Sequence, residues 1–294
     1  MNHNVITAWY ARIVKVLIAV IPFLSLYIAV PLFFPYITGR NFVFRILVEV
    51  AFALWVGLVI LKRDYRPRPS AIVLAVAAFA LIVGVANLFG VNPSNSFWSR
   101  YERMEGYVSI IHLVAYFFIL TTVFRTKRDW QVFWHIFILS GILVGFYGIL
   151  QKVGLRPAIQ GGERIDGTIG NPTYFSSYLL FVAFISFHFL VQAGRRLRWL
   201  YGCVIVYCAA LVTLAATRGS IFALALSAFV MPLLYLVFVR GRDPKDVRGR
   251  RIAGIILAIV VLVPIVFLLV RNAAFIQKNY ILRRFATLSL NEKT

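Results

Sequence analysis

Acidic residues are scarce in this chain. Ten Asp and Glu stand against 31 Lys and Arg among 294 residues. Charged residues of both signs make up only 14%, where soluble domains carry about 25%, and that shortage excludes a soluble globular protein. Cysteine is almost missing. Cys203 and Cys208 lie in one apolar run with no C-x-x-C spacing, which excludes a zinc framework and a disulfide framework. The four histidines, His3, His112, His135 and His188, are scattered and lack the spacing of metal ligands. Walker loops, dinucleotide fingerprints and serine-hydrolase elbows do not occur, nor does an internal repeat. Neither a metal nor a cofactor is expected.

What the chain has is apolar surface. Hydrophobic residues amount to 61%, against roughly 45–50% in soluble domains, and disorder needs the opposite composition. An all-α, polytopic membrane helix bundle follows. A membrane helix takes about 20 mostly apolar residues. That ruler finds nine spans, at 13–34, 42–61, 70–90, 107–124, 131–151, 172–193, 199–216, 220–239 and 252–270. The apolar stretch 199–239 is broken only by Thr217-Arg218-Gly219-Ser220. As one helix it would overshoot a bilayer about twofold, so a hairpin turning at the break is expected. The first run outlasts a signal-peptide core of roughly 7–15 residues and has no small-x-small cleavage site, and reads as a retained span.

The net charge is +21. In a soluble protein that would point to nucleic acid. Here the basic residues cluster in short loops between apolar runs, so they read as topology signals and no nucleic acid partner is expected. Eighteen Lys and Arg fall in the N-terminal segment and in loops 62–69, 125–130, 194–198 and 240–251, against seven in the alternating short loops. The N-terminus is therefore expected in the cytoplasm. Residues 1–271 form the transmembrane bundle, and 272–294 begin an outside segment that reads as cut short. Loops on the expected inside are short and basic. Those on the expected outside mix signs and carry Trp, Tyr, Asn and Gly, as surfaces that meet a polar partner do.

Four places stand out. Arg45 and Glu49 lie mid-span, four residues apart, on one helix face. They read either as the wall of a polar cavity or as an intramembrane, intrahelical pair that locks packing. The loop Gly161-Gly-Glu-Arg-Ile-Asp-Gly-Thr-Ile-Gly-Asn-Pro172 holds Gly161, Gly162, Gly167 and Gly170, which permit close backbone approach and positive φ. Asn171 is placed to cap the next helix and Pro172 to open it. With Arg164 beside it, that helix start reads as an anion site or simply as a well-capped turn. Arg218, at the break between two long apolar helices, offers a planar fork suited to phosphate oxygens, or else snorkels to headgroups. Arg100, Glu102 and Arg103 follow Trp98 and suit a sugar or pyrophosphate site, or an interfacial belt.

Two of these stretches together, Gly167-Thr-Ile-Gly-Asn-Pro-Thr-Tyr174 and Ala216-Thr-Arg-Gly-Ser-Ile-Phe222, resemble the O-antigen ligase and O-antigen polymerase family. Ser96-Phe-Trp-Ser-Arg-Tyr-Glu-Arg-Met-Glu-Gly106 and Phe42-Val-Phe-Arg-Ile-Leu-Val-Glu-Val50 add to the likeness, which covers essentially the whole chain. The resemblance implies a multi-helix glycosyltransferase of the GT-C type in the bacterial inner membrane. Its donor would be an undecaprenyl-diphosphate-linked glycan and its acceptor lipid A-core, a growing polysaccharide or a protein. The family's Ser-Arg-Gly motif reads Thr217-Arg218-Gly219 here, so the resemblance gives Arg218 the diphosphate. Arg164, Asp166, Gly170, Asn171, Pro172, Arg100, Glu102 and Arg103 become candidate contacts to the lipid diphosphate or glycan. The large outside loop with its histidine base is not matched, and the resemblance is to an N-terminal portion, expected to be inactive alone. A transporter or flippase for lipid-linked oligosaccharide is the alternative of another class.

Overall fold

The computed structural model describes residues 3–158, 164–240 and 244–278, with 282, 283 and 286. Among the described residues the chain is helical and holds no strand. Helices suit hydrocarbon because each satisfies its own backbone N–H and C=O groups. The long helices are α1 (His3–Val20, continued by a tighter turn Ile21–Leu26), α2 (Thr38–Leu61) and α3 (Ala71–Leu88). After the short α4 (Pro93–Trp98) come α5 (Tyr107–Val123), α6 (Lys127–Lys152), α7 (Pro172–Gln192), α8 (Arg195–Leu214), α9 (Arg218–Phe238) and α10 (Pro244–Val270), then the short α11 (Ala274–Lys278).

Eight helices among the described residues are long and apolar enough to cross a membrane. Nine spans were expected. The exception is α5, apolar but only 17 residues long. The first span runs Val5–Leu26 rather than 13–34. Pro31 and Pro35 bring no N–H to a helix, and the chain leaves helical geometry at Tyr27. Arg40, in the first turn of α2, donates from Nη2 to the carbonyls of Ser25 (3.2 Å) and Tyr27 (3.1 Å), serving carbonyls at that frayed end.

The chain divides into two compact units, Met1–Val144 and Gly145–Thr294, with the boundary inside α6. In the first unit, Val14 and Ile18 of α1 pack with Ala51, Trp55 and Leu58 of α2, Ile119 and Val123 of α5 and Phe133 of α6. Lipid is as apolar as these side chains, so polar bonds and close fit must set the register. Arg45 meets Ser109, Glu49 meets His112, and Trp55 Nε1 donates to Thr122 Oγ1 at 2.7 Å. The paired positions rise together, so α2 and α5 run parallel. So do α1 and α6, through Lys15–Asp129 (2.7 Å) and Ser25–Ser140 (2.8 Å). Thr126 and Asp129 bond each other's backbone amides, a reciprocal cap on α6.

In the second unit, α7 and α8 form an antiparallel pair, with Phe189 stacked on Tyr201 at 5.7 Å. The pair α9 and α10 is tied by Arg250, whose Nη1 donates to the carbonyls of Leu236 (2.6 Å) and Val239 at the end of α9. The long apolar run does break, but earlier than expected: α8 ends at Leu214 and α9 starts at Arg218, so Arg218, Gly219 and Ser220 belong to the helix. Its two arms lie chiefly along other partners, α8 along α7 and α9 along α10.

Candidate functional site

The break and the loop before α7 meet at one end of the second unit. Ala216 makes the turn with φ 49, a left-handed conformation that costs a residue with a Cβ about 1–2 kcal/mol. Ala215 and Ala216 are fully buried, which holds the turn in place. Gly219 does not make this turn. It sits in the first turn of α9 without positive φ, and a Cβ there would meet nothing within 4 Å.

Three buried hydroxyls hold the break against α7. Ser176 Oγ lies 2.7 Å from Thr217 Oγ1 and 2.7 Å from Ser220 Oγ. It also reaches the carbonyls of Pro172 (2.8 Å) and Thr173 (3.0 Å). One arrangement satisfies all three: Thr217 and Ser220 donate to Ser176, and Ser176 donates back to its own helix. Ser220 is thus a structural hydrogen bonder.

Gln151, at the end of α6, organises the loop. Its side-chain oxygen accepts from the amides of Asp166 (3.1 Å) and Gly167 (2.8 Å). Its Nε2 donates to Asp166 Oδ1 at 2.6 Å and to the Pro157 carbonyl at 3.1 Å. Asp166 is 1% exposed. Its carboxyl group lies in the cradle that shapes the loop. Gly167 (φ 58) and Gly170 (φ 76) take the left-handed backbone that their residue type allows. Gly161 and Gly162 lie outside the described residues.

Asn171 caps α7, its Oδ1 accepting from the amides of Thr173 (2.8 Å) and Tyr174 (3.3 Å), and Pro172 opens the helix. Those two amides bond the cap, and the start of α9 differs. Its N-cap is Thr217, whose hydroxyl is turned to Ser176 and makes no cap bond to the helix. Arg218 is its first residue and is exposed. Arg164 connects loop and break: its Nε donates to the carbonyl of Ala215 at 2.9 Å, at the C-terminal end of α8, where a cation is favoured. The structure thus gathers Arg164, Asp166, Gly170, Asn171, Pro172 and Arg218 in one neighbourhood.

Arg100, Glu102 and Arg103 belong to the first unit. All three are exposed. Their segment has positive φ at Ser99 (φ 65) and Met104 (φ 54). Gly106 lies so close to Phe97 that a Cβ would come within 2.3 Å of its carbonyl oxygen. One stripe of α2 holds this segment by its carbonyls. Thr38 donates to Tyr101 (3.4 Å), Asn41 to Arg103 (3.5 Å) and Arg45 to Met104 (3.0 Å).

Arg45 and Glu49 do not form the ion pair with each other that their spacing suggested. The Arg45 Nη2 is drawn to Met104 and to Ser109 Oγ (2.8 Å), while Glu49 Oε1 sits 3.0 Å from His112 Nε2. Sequence reasoning missed Gln151, Ser176 and Ser109, which are ordinary polar residues within or beside apolar runs. Among the described residues no three His, Cys, Asp or Glu side chains are grouped to hold a metal ion. Comparison with protein-family models, with curated proteins and with solved structures finds no match in any of the three.

Proposed function

We propose that this chain binds the lipid-diphosphate donor of an O-antigen ligase-like glycosyltransferase with a GT-C-type helical bundle. The observation that carries the reading is the start of α9: a first turn whose N-cap Thr217 makes no side-chain cap bond, headed by the exposed Arg218. Helix-start amides and a guanidinium fork are two complementary receptors for phosphate oxygens. An open approach at Gly219 supports it, since a Cβ there would meet nothing within 4 Å. Arg164 steadies the turn from the side.

In this reading the donor is an undecaprenyl-diphosphate-linked glycan, met at the periplasmic face of a bacterial inner membrane. Transfer breaks the bond between the sugar's anomeric carbon and the diphosphate oxygen, and the acceptor oxygen takes its place. The acceptor proton goes to a base supplied elsewhere. Arg218 stabilises the charge that develops on the departing diphosphate. The acceptor would be lipid A-core, or a growing polysaccharide if the chain serves a polymerase.

The direct test is binding of undecaprenyl diphosphate to the chain in lipid nanodiscs. Arg218→Ala should weaken it at least about tenfold, and Arg218→Lys should restore only part. Unchanged affinity in Arg218→Ala would overturn the assignment. A second reading, movement of lipid-linked oligosaccharide across the bilayer, is favoured by the ionisable Arg45, Glu49 and His112 within spans of the first unit. Flipping of a fluorescent lipid-linked glycan in liposomes, without transfer to an acceptor, would support that reading instead.

A further inference from the structure

The first span carries a cation on its outward face. Val5–Leu26 is long and apolar enough to cross a membrane, and Arg12 lies about 10 Å past Val5 at the helical rise. Arg12 is exposed. It shares a stripe with Val5, Trp9, Ile13, Val16 and Val20, all exposed and apolar. A cation on such a face is costly in hydrocarbon unless an anion meets it.

The chain supplies no such anion among the described residues. The helix α1 has no acidic side chain. At this end of the first unit, Asp129 is bonded to Lys15 at 2.7 Å and caps α6, and Asp64 lies 3.6 Å from Lys62. Arg12 is laid instead over the Trp9 ring, 5.1 Å from its centroid. Side chains on a helix lean toward its start, which carries the guanidinium away from the bilayer centre. With Val5 and Ala8, the pair lines a groove along α1.

The loops beside α1 are basic. Loops 62–69 and 125–130 hold seven Lys and Arg against the two acids just named. Arg125 lies over the Tyr65 ring, 4.3 Å from its centroid, and joins one loop to the other. The Lys15–Asp129 pair joins the second loop to α1. Arg66, Arg68, Lys127 and Arg128 are exposed. Their summed field draws anions to this end of the unit.

We propose that the groove at Arg12 and Trp9 binds an anionic phospholipid. Its phosphate oxygens accept from the Arg12 guanidinium, and an acyl chain follows Ile13, Val16 and Val20 into the bilayer. The apolar stripe running on from the cation fits a lipid and offers a free phosphate nothing. The basic loops favour a headgroup of net negative charge over a zwitterionic one, whose own ammonium they repel.

The test supplies the purified chain in detergent micelles with equal amounts of phosphatidylglycerol and phosphatidylcholine. Native mass spectrometry then counts the lipid adducts. Phosphatidylglycerol should exceed phosphatidylcholine at least about fivefold. Arg12→Gln should lower that ratio at least about threefold, and Arg12→Lys should keep most of it because the charge remains. An unchanged ratio in Arg12→Gln would place the lipid on the basic loops and overturn the site. So would equal adducts of the two lipids in the unaltered chain. Release of bound phosphatidylglycerol by millimolar glycerol 3-phosphate would mark a site for free anions and overturn the lipid assignment.

Discussion

Arg164 donates from Nε to the carbonyl of Ala215 at 2.9 Å, across 51 positions of sequence. The bond sews a surface loop to the last turn of α8, three residues before Arg218. Replacing the half-buried arginine leaves that carbonyl without its cationic donor. Arg164→Met should cost about 1–2 kcal/mol, read as a lower unfolding midpoint in detergent micelles. Arg164→Lys keeps charge and a donor and should recover about half of that. Equal losses in the two variants would show that the planar fork itself is required.

Gly219 offers a test in which stability and binding move oppositely. It lies in a helix with open space where a Cβ would go. Gly219→Ala should raise stability by about 0.4–1 kcal/mol, mainly by restricting the unfolded chain. The added methyl sits in the approach to the α9 amides, so affinity for undecaprenyl diphosphate should fall. A variant that is both more stable and an equal binder would move the diphosphate away from this helix start.

Gln151→Leu should be among the more damaging changes in the second unit. It removes the donor that meets the sealed Asp166 carboxylate and the acceptor that meets two loop amides. Losing hydrogen bonds to a buried carboxyl group and to two amides costs about 1.5–3 kcal/mol. The double variant Gln151→Leu with Asp166→Asn should recover part of the loss, because an amide is less costly than a carboxylate to leave short of donors. Denaturant titration in micelles reads both.

Ser176→Ala should destabilise by about 1–3 kcal/mol, since it strands the hydroxyls of Thr217 and Ser220 against α7. Thr217 then becomes free to cap α9, its ordinary role as an N-cap residue. That competition predicts a second effect: a hydroxyl occupying the α9 amides should weaken diphosphate binding even though Arg218 is intact. Thermal unfolding and lipid-diphosphate binding on the same sample separate the two effects.

The helices were legible because apolar runs of membrane length announce themselves. The Asn171-Pro172 start was legible from local chemistry, and so was an interruption of the long apolar run, although it was placed at 217–220 and the turn falls at 215–217. The first span was misplaced because hydropathy continues past Leu26, while the prolines at 31 and 35 stop the helix. The hydroxyl group of Ser176, Thr217 and Ser220 was hidden because it depends on how α7 and α9 are set against each other. Single hydroxyls inside apolar helices bond locally just as often, and nothing in their spacing distinguishes the two cases. Glu49 was noticed but matched to Arg45, its neighbour along the helix. The actual partner sits 63 positions away on α5, a relation only the parallel packing of the two helices reveals.

The short fifth helix has a consequence for the lipid around it. Seventeen residues at 1.5 Å each rise about 25 Å, against a hydrocarbon core of about 30 Å. Before the N-terminal end of α5, α2 grips the backbone of residues 101–104 and brings Arg45 to Met104. A bilayer matched to the length of α5 would thin by about 5 Å beside it.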